Sequence, residues 1–370
     1  MVSLKDDTTA LKTKDRLDSP SGISPQKKYV RQDQAIPHHR RRRHHRRRLV
    51  LPFRSHERQE ARQRLNVTRN RSPPRKILMP QKRKIRLNNI SAVPAIAVAG
   101  VALIDVPLSF GRCHEIHIGY GHAAGTNTVA AALAFVEEIR VIVNGTVLRT
   151  MSGAQLRDQN VQNGSAYDFT GLPNTTVGVD MPIFFAEPWR KDVVDQDSLA
   201  WSSKPMNSFK IEVQLAANAG GAPTLNAFAV VDDVVLEKPA REILYCKWAR
   251  QTFNGGSTEV DITNIDRRGF IQQVTLYPSA ALTEVIVKKD ALIISELKRT
   301  QNDAIMLHHG MLTVGATGRV ANVWDVVFDH DDLLGSSLDM RGSRDFVLTL
   351  KSGSTLGSTT GIIQRVEPLD

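Results

Sequence analysis

The amino-acid sequence predicts an all-β fold of two tandem eight-stranded jelly rolls with short helical inserts, preceded by a disordered basic N-terminal arm. Three observations predict it: charge is unevenly spread, apolar and polar residues alternate in short stretches beyond about residue 85, and these stretches recur in order. Alternation with a period of two is typical of half-buried strands, and many short strands are typical of sandwiches and barrels. The predicted domains are the arm at 1–85, a first jelly roll at 86–239 and a second at 240–370.

The arm is a polycation attached to a mildly acidic body. Residues 1–90 hold 26 Lys and Arg against 7 Asp and Glu, whereas the remaining residues hold 23 against 31. Because apolar residues are sparse from about Ser19 to Asn88, this segment has too little apolar area for a core, and we expect it to be disordered. Such asymmetry indicates an arm that meets polyanions.

The cations of the arm are the predicted binding residues, because arginine presents a planar fork of donors to phosphate oxygens. They are Arg40, Arg41, Arg42, Arg43, Arg46, Arg47, Arg48, Arg75, Lys76, Lys82, Arg83 and Lys84. No aromatic residue interleaves the central arginines, so base stacking is not expected. The same residues also suit an anionic membrane surface, a localisation signal or a solvated tail, and these alternatives stay open.

The body contains an ordered internal repeat. Gly100–Val106 and His114–Tyr120 each have a counterpart 156 residues later, at Gly256–Ile262 and Phe270–Leu276. Next comes a hairpin whose tight turn, Asn144-Gly145, leads through a strand to a helix with Ser152 as its N-cap. Its counterpart comprises Thr283–Val287, a turn at Lys288–Asp290, a strand at Ala291–Ile294 and Ser295 as the N-cap of a helix at Ser295–Arg299.

A third correspondence closes each unit. In the first unit, Ile183–Phe185 and Ser198–Trp201 precede a strand that begins at Phe209, and Thr224–Leu236 supplies the last strand. In the second unit the equivalent segments are Val326–Phe328, Ser337–Met340, a strand that begins at Phe346, and Thr359–Val366. Three matches in one order predict two copies of a single β architecture.

Residues typical of catalysis are scarce. No Gly-rich phosphate loop, nucleophile elbow or kinase signature occurs, so we predict neither an enzyme nor a cofactor. Asp329, Asp331 and Asp332 are weak candidates for a divalent cation site, and an acidic solvated loop is the alternative interpretation. Cys113 and Cys246 are predicted to be buried thiols, and no membrane-spanning helix is expected.

The body resembles the double jelly-roll major capsid proteins of tailless, membrane-containing icosahedral bacteriophages, most of all the corticovirus type. The resemblance covers roughly residues 85–369. It is carried by Trp248–Glu259, Ser295–Asp303, Ile142–Arg149 and Ile183–Trp189.

The resemblance implies a structural virion protein that forms homotrimeric capsomers of an icosahedral shell. Its implied partners are neighbouring capsomers, minor capsid proteins, and the viral genome or an internal lipid membrane that the basic arm faces. It also implies synthesis in the host cytoplasm and incorporation into the virion. The arm is longer and more basic than the resemblance implies, which leaves genome and membrane both open.

Two other functions share some of these features. One is an RNA-virus coat protein with an Arg-rich arm, a shell domain and a projecting domain. The other is a non-viral nucleic-acid-binding β-sandwich protein. The repeat argues against the first alternative, because shell and projecting domains would not share a strand, hairpin and helix in the same order.

Overall fold

The computed structural model describes the body of the chain and leaves the predicted arm outside the described residues up to residue 80. The described residues are 81–91, 93, 99–123, 129–164, 176–217, 224–311, 319–329 and 334–369. In these ranges strands dominate, as the alternating pattern predicts. None of the helices there is long and apolar enough to cross a membrane.

The first half of the body forms two facing antiparallel sheets. Their strands are β1 Arg83–Leu87, β2 Gly100–Asp105, β3 Arg112–Ala123, β4 Val136–Val143, β5 Thr146–Met151, β6 Thr176–Phe184, β7 Trp201–Ser202, β8 Phe209–Leu215 and β9 Thr224–Asp232. The helices are α1 Val129–Ala134, α2 Gly153–Gln162 and α3 Val193–Ser198. One sheet has the order β1-β9-β3-β6, with β7 paired to β3, and the other has the order β2-β8-β4-β5.

The second half repeats this arrangement. Its strands are β10 Leu244–Phe253, β11 Glu259–Ile262, β12 Phe270–Pro278, β13 Leu282–Lys289, β14 Leu292–Lys298, β15 Trp324–Val327, β16 Leu338–Asp339, β17 Phe346–Ser352 and β18 Thr359–Pro368. Its helix is α4 Arg299–His308, and short 3-10 turns lie at Ala240–Glu242 and Leu334–Ser336. The strand orders are β10-β18-β12-β15, with β16 paired to β12, and β11-β17-β13-β14.

Each strand of the second half therefore occupies the position of the strand nine places earlier in the chain. Both halves have eight main strands in the antiparallel order of a jelly roll, with a two-residue strand, β7 or β16, added to one sheet. The predicted double jelly roll is confirmed. The strands expected to begin at Phe209 and Phe346 begin at those residues.

Alternation along the strands gives each jelly roll its core. In β8, Phe209, Ile211, Val213 and Leu215 are buried, while the three residues between them are half-buried. One apolar cluster fills the first roll and a second fills the other. Strands β10 and β18 also contribute to the first cluster, for example through Trp248. The predicted division at 239/240 stays a prediction.

The two helices that follow the central hairpins begin differently. Ser152 caps α2 as predicted: the Gln155 backbone N–H donates to its hydroxyl at 3.2 Å, and the Gln155 amide accepts from its N–H at 3.0 Å. The predicted cap at Ser295 is wrong. Ser295 pairs with Val287 in the β13–β14 hairpin, so the strand runs on to Lys298 and the helix begins at Arg299.

The turn of the second hairpin is also shifted from its predicted position. Asp290 and Ala291 adopt φ values of 50° and 66°, the left-handed conformation that a tight two-residue turn requires. The turn therefore lies one residue beyond the predicted Lys288–Asp290. The thiols of Cys113 and Cys246 are buried and unpaired with each other, as predicted.

Candidate functional site

Three of the predicted phosphate-binding cations lie in the described part of the chain, at the start of β1. Lys82 forms an ion pair with Asp197 at 2.9 Å, and Arg83 forms one with Asp233 at 2.7 Å. Lys84 is exposed. The structure thus attaches two of the three to the body. The others lie outside the described residues: Arg40, Arg41, Arg42, Arg43, Arg46, Arg47, Arg48, Arg75 and Lys76.

A buried charge cluster fixes the place where the chain enters the first jelly roll. His114 lies 2.8 Å from Asp232 and 3.2 Å from Asp197, and Arg112 forms an ion pair with Asp232 at 2.7 Å. Burial raises the pKa of Asp232, but hydrogen bonds from His114 and Arg112 outweigh it and lower that pKa to about 2. Through Asp197 the cluster also holds Lys82, so β1 is tied to β3 and β9.

One end of the first roll, here called the basal end, gathers the start of β1 and the β4–β5 turn. Arg83, at the start of β1, pairs with Asp233 after β9. The Ser203 N–H, between β7 and β8, donates to the Gly111 carbonyl before β3 at 3.0 Å. The Asn144 side-chain amide, in the β4–β5 turn, donates to the Pro205 carbonyl at 3.0 Å, and Pro205 lies with Ser203 between β7 and β8. The arm therefore joins the body at the basal end.

Both jelly rolls point the same way. Strand β10 of the second roll pairs in parallel with β5 of the first, with Trp248 opposite Arg149. Both β1 and β5 begin at the basal end of the first roll, and β10 is the counterpart of β1. Its parallel pairing with β5 therefore places the two basal ends on one side. This pairing also joins two four-stranded sheets and the short strand β16 into one nine-stranded sheet.

Arg149 is the central side chain of this junction and is 1% exposed. Its guanidinium donates to the Cys246 carbonyl at 2.9 Å and to the Phe184 carbonyl at 2.6 Å. It also lies 4.7 Å from the ring centre of Trp248 and 5.2 Å from that of Trp201, within range for cation–π attraction. Burial lowers the pKa of Arg149 from its ordinary value.

Helix α2 carries polar side chains from the first roll onto the second. The Gln159 amide donates to the Thr275 hydroxyl at 3.0 Å and accepts from the Gln364 amide at 2.6 Å. The Gln273 amide donates to Gln162 at 2.7 Å. All five side chains are buried, so their hydrogen bonds replace those that water would supply.

A buried ion triad extends this contact. Arg319 binds Asp158 of α2 at 2.9 Å and Asp325 of β15 at 2.7 Å, and the Tyr277 hydroxyl donates to Asp158 at 3.1 Å. Burial raises the pKa of Asp158, and the Arg319 charge opposes that effect. The junction is therefore a matched set of charges and amides, which favours a single relative placement of the two rolls.

The surface of the second roll that corresponds to this junction is uncovered. Leu292, Ile293 and Ile294 of β14 are 72%, 57% and 42% exposed. Beside them an apolar cavity of about 470 Å³ opens between the hairpin, α4 and β15, with Met306 and Trp324 in its wall. Exposed contiguous apolar surface of this kind marks an interaction site.

The acidic cation candidates are only partly described. Asp329 is buried and binds Arg190 at 2.5 Å, and Arg190 also pairs with Glu187. Asp331 and Asp332 lie outside the described residues. Among the residues that are described, no group of three or more His, Cys, Asp or Glu side chains is arranged to hold a metal ion. A cation site in this loop stays a prediction.

The sequence-based list of site residues did not include the junction. Arg149, Asp158 and Gln159 lie on elements that were predicted, but their polar side chains gave no sign of burial. The sequence-based repeat gave no such sign either, because aligning Ser152 with Ser295 places Gln159 opposite the polar Asn302.

Comparisons with known proteins agree with this architecture. Residues 84–232 match the family model for the viral coat protein P2 N-terminal domain. No curated protein matches the chain significantly.

Solved structures share the fold. The major capsid protein P2 from bacteriophage PM2 is 18% identical, with a TM-score of 0.61 over 78% of this chain and 98% of that one. The STIV MCP is 10% identical, with a TM-score of 0.58 over 78% and 97%. The Faustovirus major capsid protein is 9% identical, with a TM-score of 0.51 over 78% and 90%. These likenesses confirm the resemblance on which the sequence-based interpretation rests.

Proposed function

Since this chain has the major capsid protein fold of icosahedral viruses, and its residues 84–232 match the family model for the viral coat protein P2 N-terminal domain, we propose that it assembles as a homotrimeric capsomer. Its role in the virion is then structural and involves no catalysis. We place its synthesis in the host cytoplasm, and its partners are neighbouring capsomers and minor capsid proteins.

The observation that carries the proposal is a pair of sheet edges, at β14 and β1, that pair with no further strand in the described residues. Within the chain, β5 of the first roll is covered by β10 of the second. Their counterparts are β14 and β1, and in the described residues each is the outer strand of its sheet. A contact between β14 of one copy and β1 of the next would repeat the internal junction, and such head-to-tail contacts form closed rings when the rotation permits. Three copies give a ring of six jelly rolls.

The basal end gives the capsomer a direction. The arm joins the first roll there, and the second roll presents the same end on the same side. We propose that this side faces the interior and that the arm, 1–85, contacts the genome or an anionic internal membrane through the cations from Arg40 to Lys84. The remaining domains are the first roll at 86–239 and the second at 240–370.

The equal topology of the halves favours this function over a coat protein with unlike shell and projecting domains. Native mass spectrometry and negative-stain electron microscopy of the full chain test it. We expect trimers, and shells or sheets at higher protein concentration. A chain that stays monomeric and forms no assembly over the whole concentration range would contradict the proposal, as would a small oligomer that selects particular nucleic-acid sequences.

A further inference from the structure

The β13–β14 turn lies at the basal end of the second roll. The Asp290 N–H in this turn donates to the Asp345 carbonyl before β17 at 3.0 Å, just as the Asn144 N–H donates to the Ser208 carbonyl before β8 at 3.1 Å. In each roll the side chain of the turn residue also accepts a backbone N–H of that segment, at 2.6 Å for Asn144 and 2.7 Å for Asp290. The two turns are therefore counterparts, and both lie on the basal side of the body.

Two large apolar side chains follow the β13–β14 turn and are exposed. Leu292 is 72% exposed and Ile293 is 57% exposed. The turn residues with positive φ and the β-bulges of the two hairpins align them with an offset of 146 residues. Leu292 and Ile293 therefore take the positions of Thr146 and Val147, and the second roll has the larger apolar residues at its tip.

The proposed contact between copies does not cover this tip. Within the chain, β10 pairs with β5, yet the first two residues of β5 are exposed and the third, Leu148, is 3% exposed. A contact of the same form between β14 and β1 of the next copy covers Ile294, the counterpart of Leu148. It leaves Leu292 and Ile293 at the surface of the trimer.

The directions of the two side chains restrict what can cover them. Leu292 and Ile293 are neighbours in a strand, so their side chains point to opposite faces of the sheet. A rigid partner that packs on one face would cover one of them. A fluid layer that surrounds the end of the hairpin covers both.

The segments around the tip are basic, although the body as a whole is acidic. The Arg267 guanidinium donates to the Arg344 carbonyl, and the Met340 N–H donates to the Gly269 carbonyl at 3.0 Å, so segments 266–269 and 339–345 lie together beside the turn. With 288–293 they hold six cations against four carboxylates, a net charge of +2, whereas residues 91–370 hold 23 against 31. The cations are Arg267, Arg268, Lys288, Lys289, Arg341 and Arg344, and the carboxylates are Asp266, Asp290, Asp339 and Asp345.

The first roll adds exposed aliphatic side chains on the same side. Val147, after the β4–β5 turn, is 46% exposed, and Val235, after β9, is 65% exposed. The Lys204 ammonium, between β7 and β8, donates to the Leu236 carbonyl at 2.9 Å, which places the segment after β9 at the basal end. Exposed aliphatic residues among cations are typical of surfaces that lie on anionic membranes.

We propose that the tip at Leu292 and Ile293 enters the headgroup layer of an anionic lipid bilayer, with the surrounding arginines at the lipid phosphates. The contact rests on the proposed inward direction of the basal side, and the body makes it separately from the arm. Nucleic acid would bind the arginines, but its phosphate backbone offers no apolar surface to cover the two aliphatic side chains. A bilayer binds both kinds of residue, since aliphatic side chains enter the interface and cations contact the headgroups.

An environment-sensitive fluorophore at the tip tests the contact in the full chain. Leu292→Cys is labelled with a nitrobenzoxadiazole maleimide, because Cys113 and Cys246 are buried and do not compete. With vesicles of phosphatidylcholine and phosphatidylglycerol, we expect the emission to rise and shift to shorter wavelength. Val101→Cys is the matched control. Val101 is 50% exposed but pairs with Gln214 near the far end of β8, so its emission should not change.

Binding of the unlabelled chain gives a second measurement. Replacing Leu292 and Ile293 by Ser should weaken binding to these vesicles by about tenfold in flotation, because two apolar side chains no longer enter the interface. Val101→Ser should bind as the wild type does. Both variants change exposed residues, so equal thermal unfolding shows that the fold is intact.

The outcomes separate this contact from the capsomer. A probe at position 292 that stays in water while the chain binds vesicles through its arm would overturn the lipid contact, and so would a chain that binds no vesicles. A change in emission that requires assembly of shells and no lipid would assign the tip to a neighbouring capsomer and also overturn it. Trimers and shells formed in any of these cases would leave the proposed function standing.

Discussion

Arg149 lies opposite Trp248 in the parallel pairing of β5 with β10, with its guanidinium carbon 4.7 Å from the ring centre of the indole. The same guanidinium donates to a carbonyl of each roll, Phe184 in the first and Cys246 in the second. One side chain therefore connects both halves of the body. Both of these acceptors are backbone carbonyls, so carbonyl groups and aromatic faces stabilise its buried charge.

Replacing Arg149 by Met should destabilise the chain strongly. Two buried carbonyl groups lose their donor, and we expect the free energy of unfolding to fall by about 3 kcal/mol. Urea unfolding at fixed protein concentration measures the loss. Arg250→Met on β10 is the control, because Arg250 is partly exposed and its pair with Glu138 is 3.4 Å long, so a change below about 1 kcal/mol is expected. Equal losses in the two variants would argue against this role of Arg149.

Removing the cation of the buried triad should lower the free energy of unfolding by an amount that depends on pH. Arg319→Met leaves the carboxylates of Asp158 and Asp325 buried without their cation, and we expect a loss of about 3–5 kcal/mol near pH 7. The loss should shrink as the pH falls, because protonation removes the uncompensated charges. Adding Asp158→Asn to Arg319→Met should restore part of the stability. A double variant no more stable than the single one would show that charge burial is not the cause.

The sequence predicted backbone features well, because they depend on local rules. The turn at Asn144-Gly145, the cap at Ser152 and the strand starting at Phe346 follow from turn chemistry, capping and alternation. The error at Ser295 has the same origin, since a good capping residue was overridden by its pairing with Val287 in the hairpin.

Local rules could not predict the junction between the two rolls. Asp158 and Gln159 have the composition of a solvated helix face, and only the arrival of the second roll buries them. Asp329 presents the same problem: a carboxylate in an acidic loop suggests a cation site, whereas its partner Arg190 lies 139 residues away in the chain. Burial of polar residues against distant elements requires knowledge of the tertiary arrangement, which local patterns do not contain.

His117 should make stability depend on pH in the neutral to alkaline range. Burial lowers its pKa, but hydrogen bonds and charges from Asp180 and Glu115 outweigh this and raise it to about 9. Because this exceeds the unfolded value of about 6.5, the protonated form stabilises the folded chain. The stabilisation is fully present below about pH 6.5 and is lost as the pH rises through 9. Partial exposure of both carboxylates screens it, so about 2 kcal/mol is expected.

The variant His117→Gln, which keeps a polar side chain but cannot be protonated in this range, tests this dependence. Unfolding free energies at fixed protein concentration between pH 6 and pH 9.5 should fall in the wild type and stay flatter in the variant. The difference between the two curves isolates His117 from the other groups that titrate in this range. Parallel curves would contradict the prediction.

The arm should bind polyanions with a strong dependence on salt. Seven arginines, Arg40–Arg43 and Arg46–Arg48, engaged on duplex DNA release enough counterions for a log–log salt slope of roughly −6. Replacing all seven by Gln in the full chain should remove most of that slope. A control with Lys210→Gln and Lys298→Gln, a half-buried and an exposed cation of the body, should keep it.

Vesicles separate the two partners that the arm could meet. Arginine binds the phosphates of DNA and of anionic lipid headgroups alike. DNA and vesicles are therefore each titrated with the wild type, the seven-fold variant and the lysine control. Binding to DNA alone would assign the arm to the genome, and binding to anionic but not to neutral vesicles alone would assign it to the membrane. If the wild type and the seven-fold variant bound both surfaces with equal affinity and equal salt slopes, the basic run would have no part in either contact.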